Sequence, residues 1–156
     1  LSSGLHSSKY VQCAQLMSKP NKAYKICISL SEKINQELKN FDLILSPAMG
    51  GVVIGYEIGR LLQKETIFSE RVDGAFKLRR DFKIKKNQKI LIVEDVITTG
   101  KSSLECSQLV KDNGGVVVGY ACIINRSNGK TLIKDKIISQ IELFSAGLTI
   151  YGSSGN

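Results

Sequence analysis

The chain has 156 residues, 42% of them hydrophobic, 23% charged and 6% aromatic, with a formal net charge of +8. That is enough apolar side chain for one domain with a buried core, and too much for a disordered tail, which cannot offset its chain entropy. No run approaches the roughly 18 consecutive apolar residues of a membrane helix, and no basic stretch followed by an apolar one opens the chain as a secretory leader would. A cytoplasmic protein is expected. The sequence starts at Leu1 and ends in Gly152-Ser153-Ser154-Gly155-Asn156, and we expect it to be incomplete at one or both ends.

Four cysteines (Cys13, Cys27, Cys106, Cys122) lie far apart, without a C-x-x-C pair, and the chain has one histidine. Zinc sites want closer ligand pairs, so the cysteines are expected as small buried hydrophobes in a reducing compartment. The positive charge is concentrated. Residues 71–89 hold eight basic side chains against Asp73 and Asp81, whereas residues 90–156 are balanced. Such a segment suits a solvated face, a nucleic-acid contact or a loop closing over a phosphorylated ligand.

In chain order, Pro20-Asn21 offers a helix start with Asn21 as N-cap. Ile26, Leu30, Ile34 and Leu38 then recur at helical spacing, predicting an amphipathic helix over 22–39. Leu43-Ile44-Leu45 with Ser46-Pro47 reads as a buried strand. A second helix is expected from Gly50 to Leu62, its Gly51, Gly55 and Gly59 marking close packing or close approach of a ligand. Thr66-Ile67-Phe68 is a candidate third element, followed by Asp73-Gly74 as a hairpin-tip signal. Ile90-Leu91-Ile92-Val93 is apolar at consecutive positions, as in a parallel strand covered on both faces. A helix over 102–112 ends at Asn113-Gly114-Gly115. Val116 to Ile124 is the next strand and Ile141-Glu142-Leu143-Phe144 the last. The alternation predicts an α/β fold: an open, mainly parallel twisted sheet flanked by helices.

The chemistry concentrates in Val93-Glu94-Asp95-Val96-Ile97-Thr98-Thr99-Gly100-Lys101-Ser102. Two acids stand at the carboxyl end of a buried strand, where open α/β sheets bind ligands. A hydroxyl-rich turn and a helix start follow, whose free N–H groups suit a phosphate monoester. Gly100-Lys101-Ser102 matches the end of a nucleotide-binding P-loop, but its first glycine would fall on Asp95, so an NTPase is excluded. Gly50-Gly51 does not satisfy the dinucleotide fingerprint either. Paired acids beside a phosphate cradle call for a ligand with both hydroxyls and phosphates, and a phosphorylated sugar fits.

The segment from Val93 to Ser102 closely resembles the phosphoribosyl-pyrophosphate (PRPP) signature of type I phosphoribosyltransferases. Ser2-Ser3-Gly4-Leu5-His6-Ser7 with Tyr10 and Gln12, Ser46-Pro47-Ala48-Met49-Gly50-Gly51, and Arg71 to Phe82 resemble, in turn, the substrate-binding N-terminal stretch, pyrophosphate turn and mobile catalytic loop of the orotate phosphoribosyltransferases. The resemblance implies a single domain over 1–156, with a partial N-terminal hood over 1–20 and a mobile loop over 71–88. It implies Mg²⁺-dependent transfer of a phosphoribosyl group from PRPP to orotate, yielding orotidine 5′-monophosphate and pyrophosphate in pyrimidine biosynthesis. Glu94 and Asp95 would hold the ribose hydroxyls, and Val96 to Ser102 (Ile97, Thr98, Thr99, Gly100 and Lys101 between them) the 5-phosphate. Ala48, Met49, Gly50 and Gly51 would bind pyrophosphate, aided by Arg71, Lys77, Arg79 and Arg80. Arg126, Thr98, Ser3 and Gly4 would read orotate. The metal would ride mainly on PRPP, with Glu94 or Asp95 as the protein ligand. The family also implies a homodimer whose loop acts across the interface, and no nucleic-acid or membrane partner. The alternatives are a purine or other base phosphoribosyltransferase, or a PRPP- or nucleotide-sensing regulator that grips RNA through the basic segment.

Overall fold

The computed structural model describes residues 13–144 and 147–150. After a helical stretch over 13–17, the elements are α1 (Pro20–Glu37), β1 (Leu43–Pro47), α2 (Gly51–Leu62), β2 (Glu65–Val72), β3 (Ala75–Leu78), β4 (Lys89–Ile97), α3 (Lys101–Asp112), β5 (Val116–Asn125), β6 (Ile137–Phe144) and β7 (Gly147–Ile150). The strands form one sheet in the order β3-β2-β1-β4-β5-β6-β7. The five inner strands are parallel, and β3 and β7 pair antiparallel at the edges. The expected open, mainly parallel α/β sheet is thus the observed one. The N-terminal hood lies outside the described residues over 1–12.

Alternation along the inner strands supplies two cores. Ile44, Leu91, Val93, Ala121 and Ile123 face α1 and α2, meeting Cys27, Leu30, Ile34, Ile54 and Ile58. Leu43, Leu45, Ile90, Ile92 and Cys122 face α3, meeting Cys106 and Val110. Burial on both faces is why β4 reads as an unbroken apolar run. All four cysteines are free and buried, as expected, and burial pushes the thiols of Cys13, Cys27 and Cys106 up to about 12.

Helix α1 begins earlier than expected. Lys19, extended at φ −111°, is its N-cap, and Pro20 opens the helix in place of Asn21 capping it. Proline suits the first helical position because its fixed φ is helical and its missing N–H would be unpaired there anyway. The glycines of α2 are packing devices. A Cβ on Gly55 would run into Ser46 of β1, and one on Gly59 into Thr66 of β2. Bare glycine faces let the helix lie close against the sheet.

The segment expected as a mobile loop begins as a β-hairpin. Asp73 and Gly74 both have positive φ (53° and 85°), as a two-residue type I′ turn requires. The turn fixes the register, pairing Val72 with Ala75, Arg71 with Phe76 and Glu70 with Lys77. Strand β7 was not anticipated at all, and β6 starts four residues before the expected Ile141.

Candidate active site

In a parallel sheet the carboxyl ends of the strands share one edge. Here that edge gathers the turn after β1, the end of β2, the acids of β4 and the start of α3. Pro47, Ala48, Met49, Gly50, Arg71, Phe76, Glu94, Asp95, Val96 and Ser102 line a cavity of about 240 Å³. A second cavity of about 70 Å³ is lined by Glu94 and by Val96 through Ser102. Glu94, Val96 and Ser102 border both, so the two cavities adjoin along the carboxylate.

The smaller cavity has the make-up to hold an anion. Gly100, at φ 87°, is the N-cap of α3 and makes no side-chain cap. The first N–H groups of α3 therefore face the turn with the positive end of the helix dipole behind them. Thr99 Oγ1 accepts the Lys101 N–H at 3.2 Å. From behind, Leu132 donates its N–H to the Thr99 carbonyl at 2.7 Å, and the Thr131 hydroxyl donates to that carbonyl at 3.2 Å. A Cβ on Gly100 would come within 2.7 Å of Thr131 Oγ1 and 2.8 Å of Ile133, so glycine answers both the backbone twist and the close packing.

Glu94 and Asp95 are 9% and 8% exposed. Burial raises the Glu94 carboxyl to about 7, against the pull of the Ser103 hydroxyl that donates to Oε2; the Asp95 charge adds a smaller upward push. Asp95 is raised for the same reason, opposed by the Val96 N–H, which donates to Oδ1 at 2.8 Å. Among the described residues no cation pairs with either acid across a salt bridge. Buried carboxylates of this kind cost stability unless a ligand satisfies them. Across the cavity, Gly50 sits so close that a Cβ there would lie 2.7 Å from Asp95 Oδ2.

Of the expected pyrophosphate contacts, Ala48, Met49, Gly50 and Arg71 line the larger cavity. Gly51 sits behind it, where a Cβ would be 3.1 Å from Ser46 Cβ and the Val93 carbonyl oxygen. Arg71 is held on three sides: its guanidinium lies 4.1 Å from the Phe76 ring centroid, donates to the Gly74 carbonyl at 2.9 Å and pairs with Glu105 of α3 at 2.7 Å. Lys77, Arg79 and Arg80 line neither cavity. Strand alternation puts Lys77 on the hairpin face opposite Arg71, and Arg80 makes a two-armed pair with Glu70 at 2.8 and 3.2 Å. Arg126 follows β5 at the same sheet edge, its N–H bonded to the Ile97 carbonyl at 2.8 Å; it too lines neither cavity. Ser3 and Gly4 lie outside the described residues.

Two residues were not anticipated. Phe76 forms cavity wall and seats Arg71; its place follows from the Asp73-Gly74 register. Ser103 is fully buried against Glu94, and nothing in the local sequence distinguishes it from its neighbour Ser102. A larger cavity of about 390 Å³ lies between α1 and β6, around Lys33, Glu37, Lys136 and Glu142, away from these groups.

A family model described as a phosphoribosyl transferase domain matches residues 15–151. An orotate phosphoribosyltransferase of Erythrobacter litoralis (strain HTCC2594) is 47% identical over 131 residues, spanning 83% of this chain and 68% of that protein. The orotate phosphoribosyltransferase structure from Aeropyrum pernix superposes with a TM-score of 0.68 at 18% identity, covering 81% of this chain and 74% of that one. The adenine phosphoribosyltransferase of Leishmania tarentolae gives 0.67 at 19% identity, covering 83% and 74%. At such identities the two structures speak to the fold alone. With the family match spanning nearly all of the described residues, and the acids, turn and helix start assembled at one sheet edge, the chain belongs to the phosphoribosyltransferase family.

Proposed function

We propose that this chain transfers the 5-phosphoribosyl group of PRPP to orotate, releasing orotidine 5′-monophosphate and pyrophosphate, as one cytoplasmic domain of pyrimidine biosynthesis. The observation that carries the site reading is the junction of the two cavities at Glu94. The smaller one suits a 5-phosphate, the larger a pyrophosphate, and the acid between them suits the ribose hydroxyls. The choice of orotate rests on the 47% identical relative. Four buried, unpaired cysteines agree with a reducing compartment.

In this reading the α3 N–H groups and Thr98 to Ser102 anchor the phosphate, which converts remote binding energy into alignment of the sugar's C1. Glu94 and Asp95 hold the ribose hydroxyls and sit near the positive charge that develops on the sugar as pyrophosphate departs and the base nitrogen attacks. Arg71 draws the departing charge towards the Ala48–Gly50 turn. Two adjacent carboxylates fit Mg²⁺, which takes one or two protein oxygens and completes its shell with substrate and water; the ion would supply charge neutralisation of the pyrophosphate. Arg126, at the mouth of β5, is our candidate for the carboxylate or carbonyl edge of orotate, with Thr98 and the Ser3-Gly4 stretch.

A homodimer belongs to the same proposal. Met49, 85% exposed at the cavity rim, Val53 and Tyr56 three residues apart on α2, and Tyr24 on α1 are exposed large apolar side chains that suit a contact with a second copy. A second copy seated there could bring its own basic 71–88 segment to this cavity, for which Lys77 and Arg79 do not serve their own chain. Sedimentation should give a dimer that Tyr56→Asp disrupts. The function is tested by incubating the protein with PRPP, Mg²⁺ and, separately, orotate, uracil, hypoxanthine or adenine. We expect orotate alone to be consumed; preference for a purine would overturn the assignment.

A further inference from the structure

We propose that Ser103 is a positioning residue for PRPP: from the first turn of α3 it fixes the Glu94 carboxylate in the orientation that receives the ribose hydroxyls. The inference rests on the site reading above and extends it to a residue that touches neither cavity. Glu94 is the side chain on which the phosphate and pyrophosphate compartments meet. A glutamate has three rotatable bonds, and a buried one with no cationic partner among the described residues has little else to choose its rotamer. Ser103, 0% exposed, supplies that choice by donating its hydroxyl to Oε2. With Oε2 tied back to α3, Oε1 is left for the ligand.

The bond also joins two parts of the site that must agree. Ser103 lies in the same helical turn as Lys101 and Ser102, which border the phosphate cradle. The helix start that grips the phosphate therefore also sets the carboxylate that grips the sugar, nine residues back in the chain. Ligand alignment needs these two grips at a fixed separation, and the hydroxyl–carboxylate bond within the protein provides it. The same donation partly offsets the burial of the carboxylate.

Ser107, one turn further along α3 and 3% exposed, is the control. Its hydroxyl bonds Tyr120, so its loss removes a buried hydroxyl from the same helix without touching Glu94. The experiment measures PRPP affinity by titration calorimetry, independent of any base, for wild type, Ser103→Ala, Ser107→Ala, Glu94→Gln and the double variant of 103 and 94. A hydrogen bond to a charged group shifts the equilibrium between held and released side chain by about tenfold to a hundredfold, and without it the ligand must itself hold Glu94 in place. We expect Ser103→Ala to raise the PRPP Kd by at least about tenfold, and Ser107→Ala to change it by less than about twofold. In the Glu94→Gln background the Ser103→Ala loss should shrink to a small fraction of its size, because residues acting as a unit are not additive.

Ser103→Cys, which keeps the side chain's size but donates weakly, stands in if the alanine variant does not fold, and should lose PRPP affinity likewise. A folded Ser103→Ala or Ser103→Cys protein with wild-type PRPP affinity overturns the proposal, and so does a Ser103→Ala loss that persists in full beside Glu94→Gln. Should wild type bind PRPP yet ignore orotate, the orotate assignment fails while this test still decides the role of Ser103.

Discussion

Gly50→Ala separates the needs of the fold from those of the site. Gly50 has φ −62° and ψ −30°, so alanine meets no backbone strain, and loss of glycine's freedom in the unfolded chain favours the variant by about 0.4–1 kcal/mol. What the new methyl does meet is Asp95, at 2.7 Å from Oδ2 and 3.1 Å from both Cγ and Oδ1. Ordinary contact begins at 3.4 Å, so the carboxylate must retreat by the difference, about 0.7 Å, and a misplacement near 1 Å costs on the order of a hundredfold in rate. The carboxylate borders an open cavity and can swing into it, so the fold need not yield. We expect kcat/KM for PRPP to fall about a hundredfold while Tm stays within a few degrees of wild type. Steady-state kinetics beside calorimetric melting checks both. Wild-type kcat/KM in a folded Gly50→Ala protein would refute the proposed role of Asp95, set against the Ala48–Gly50 turn, in PRPP use.

The buried acid gives a pH signature. Burial raises Glu94 to about 7 from an ordinary 4.5, so the native state keeps its proton longer than the unfolded chain, and stability falls as pH climbs from 4.5 through 7. The full cost, about 3 kcal/mol at one pKa unit per 1.36 kcal/mol, applies above pH 7 and vanishes below 4.5. Glu94→Gln should therefore melt several degrees higher at pH 8, lose that advantage at pH 4.5, and bind PRPP poorly; equal melting at pH 8 would contradict it. Arg71→Ala should lower kcat/KM by on the order of a hundredfold with little change in stability, because its exposed pair with Glu105 contributes at most about 1 kcal/mol. Arg80→Ala, whose charge is spent on Glu70, should leave turnover within about threefold of wild type; a larger loss would refute the idea that the pair with Glu70 is all that Arg80 does. Gly55→Ala should cost about 1–3 kcal/mol by driving a methyl into Ser46, read as a fall in Tm.

Legibility from the sequence followed physical locality. The cradle at 98–102 and the acids before it form one contiguous stretch, with strand, acids, glycine turn and helix start in fixed order, so chemistry and placement are readable together. The parallel sheet was readable because covered strands must be apolar at every position, as in Ile90 to Val93. Arg71 could be singled out from its basic neighbours by an argument the sequence already contains. A two-residue turn at Asp73-Gly74 pairs 71 with 76, placing Arg71 on the side of the apolar Phe76 and Lys77 on the other. Ser103 was not readable, because its role depends on how α3 rotates over β4, a tertiary fact. Strand β7 escaped for a similar reason: Gly147–Ile150 is four residues long, and pairing with Phe144 through Ile141 defines it rather than any pattern of its own.

The energetics of the paired acids bear on why they stay. A glutamate raised to about 7 beside a raised aspartate is a standing penalty, and an amide or an apolar side chain of similar volume would make a more stable protein. Among the described residues no cation pairs with these acids across a salt bridge; Glu94 accepts the Ser103 hydroxyl and Asp95 the backbone N–H groups of Val96 and of Asp95 itself. On the proposed reading their desolvation is offset when ribose hydroxyls or a hydrated cation arrive between the two cavities. Ligand binding and folding are thus linked at one place: saturating PRPP with Mg²⁺ should raise Tm most at pH 8, where the unliganded carboxylate costs most, and least near pH 5, where it is protonated. A ligand-induced rise in Tm that is the same at both pH values would mean that the sugar is held by something other than Glu94.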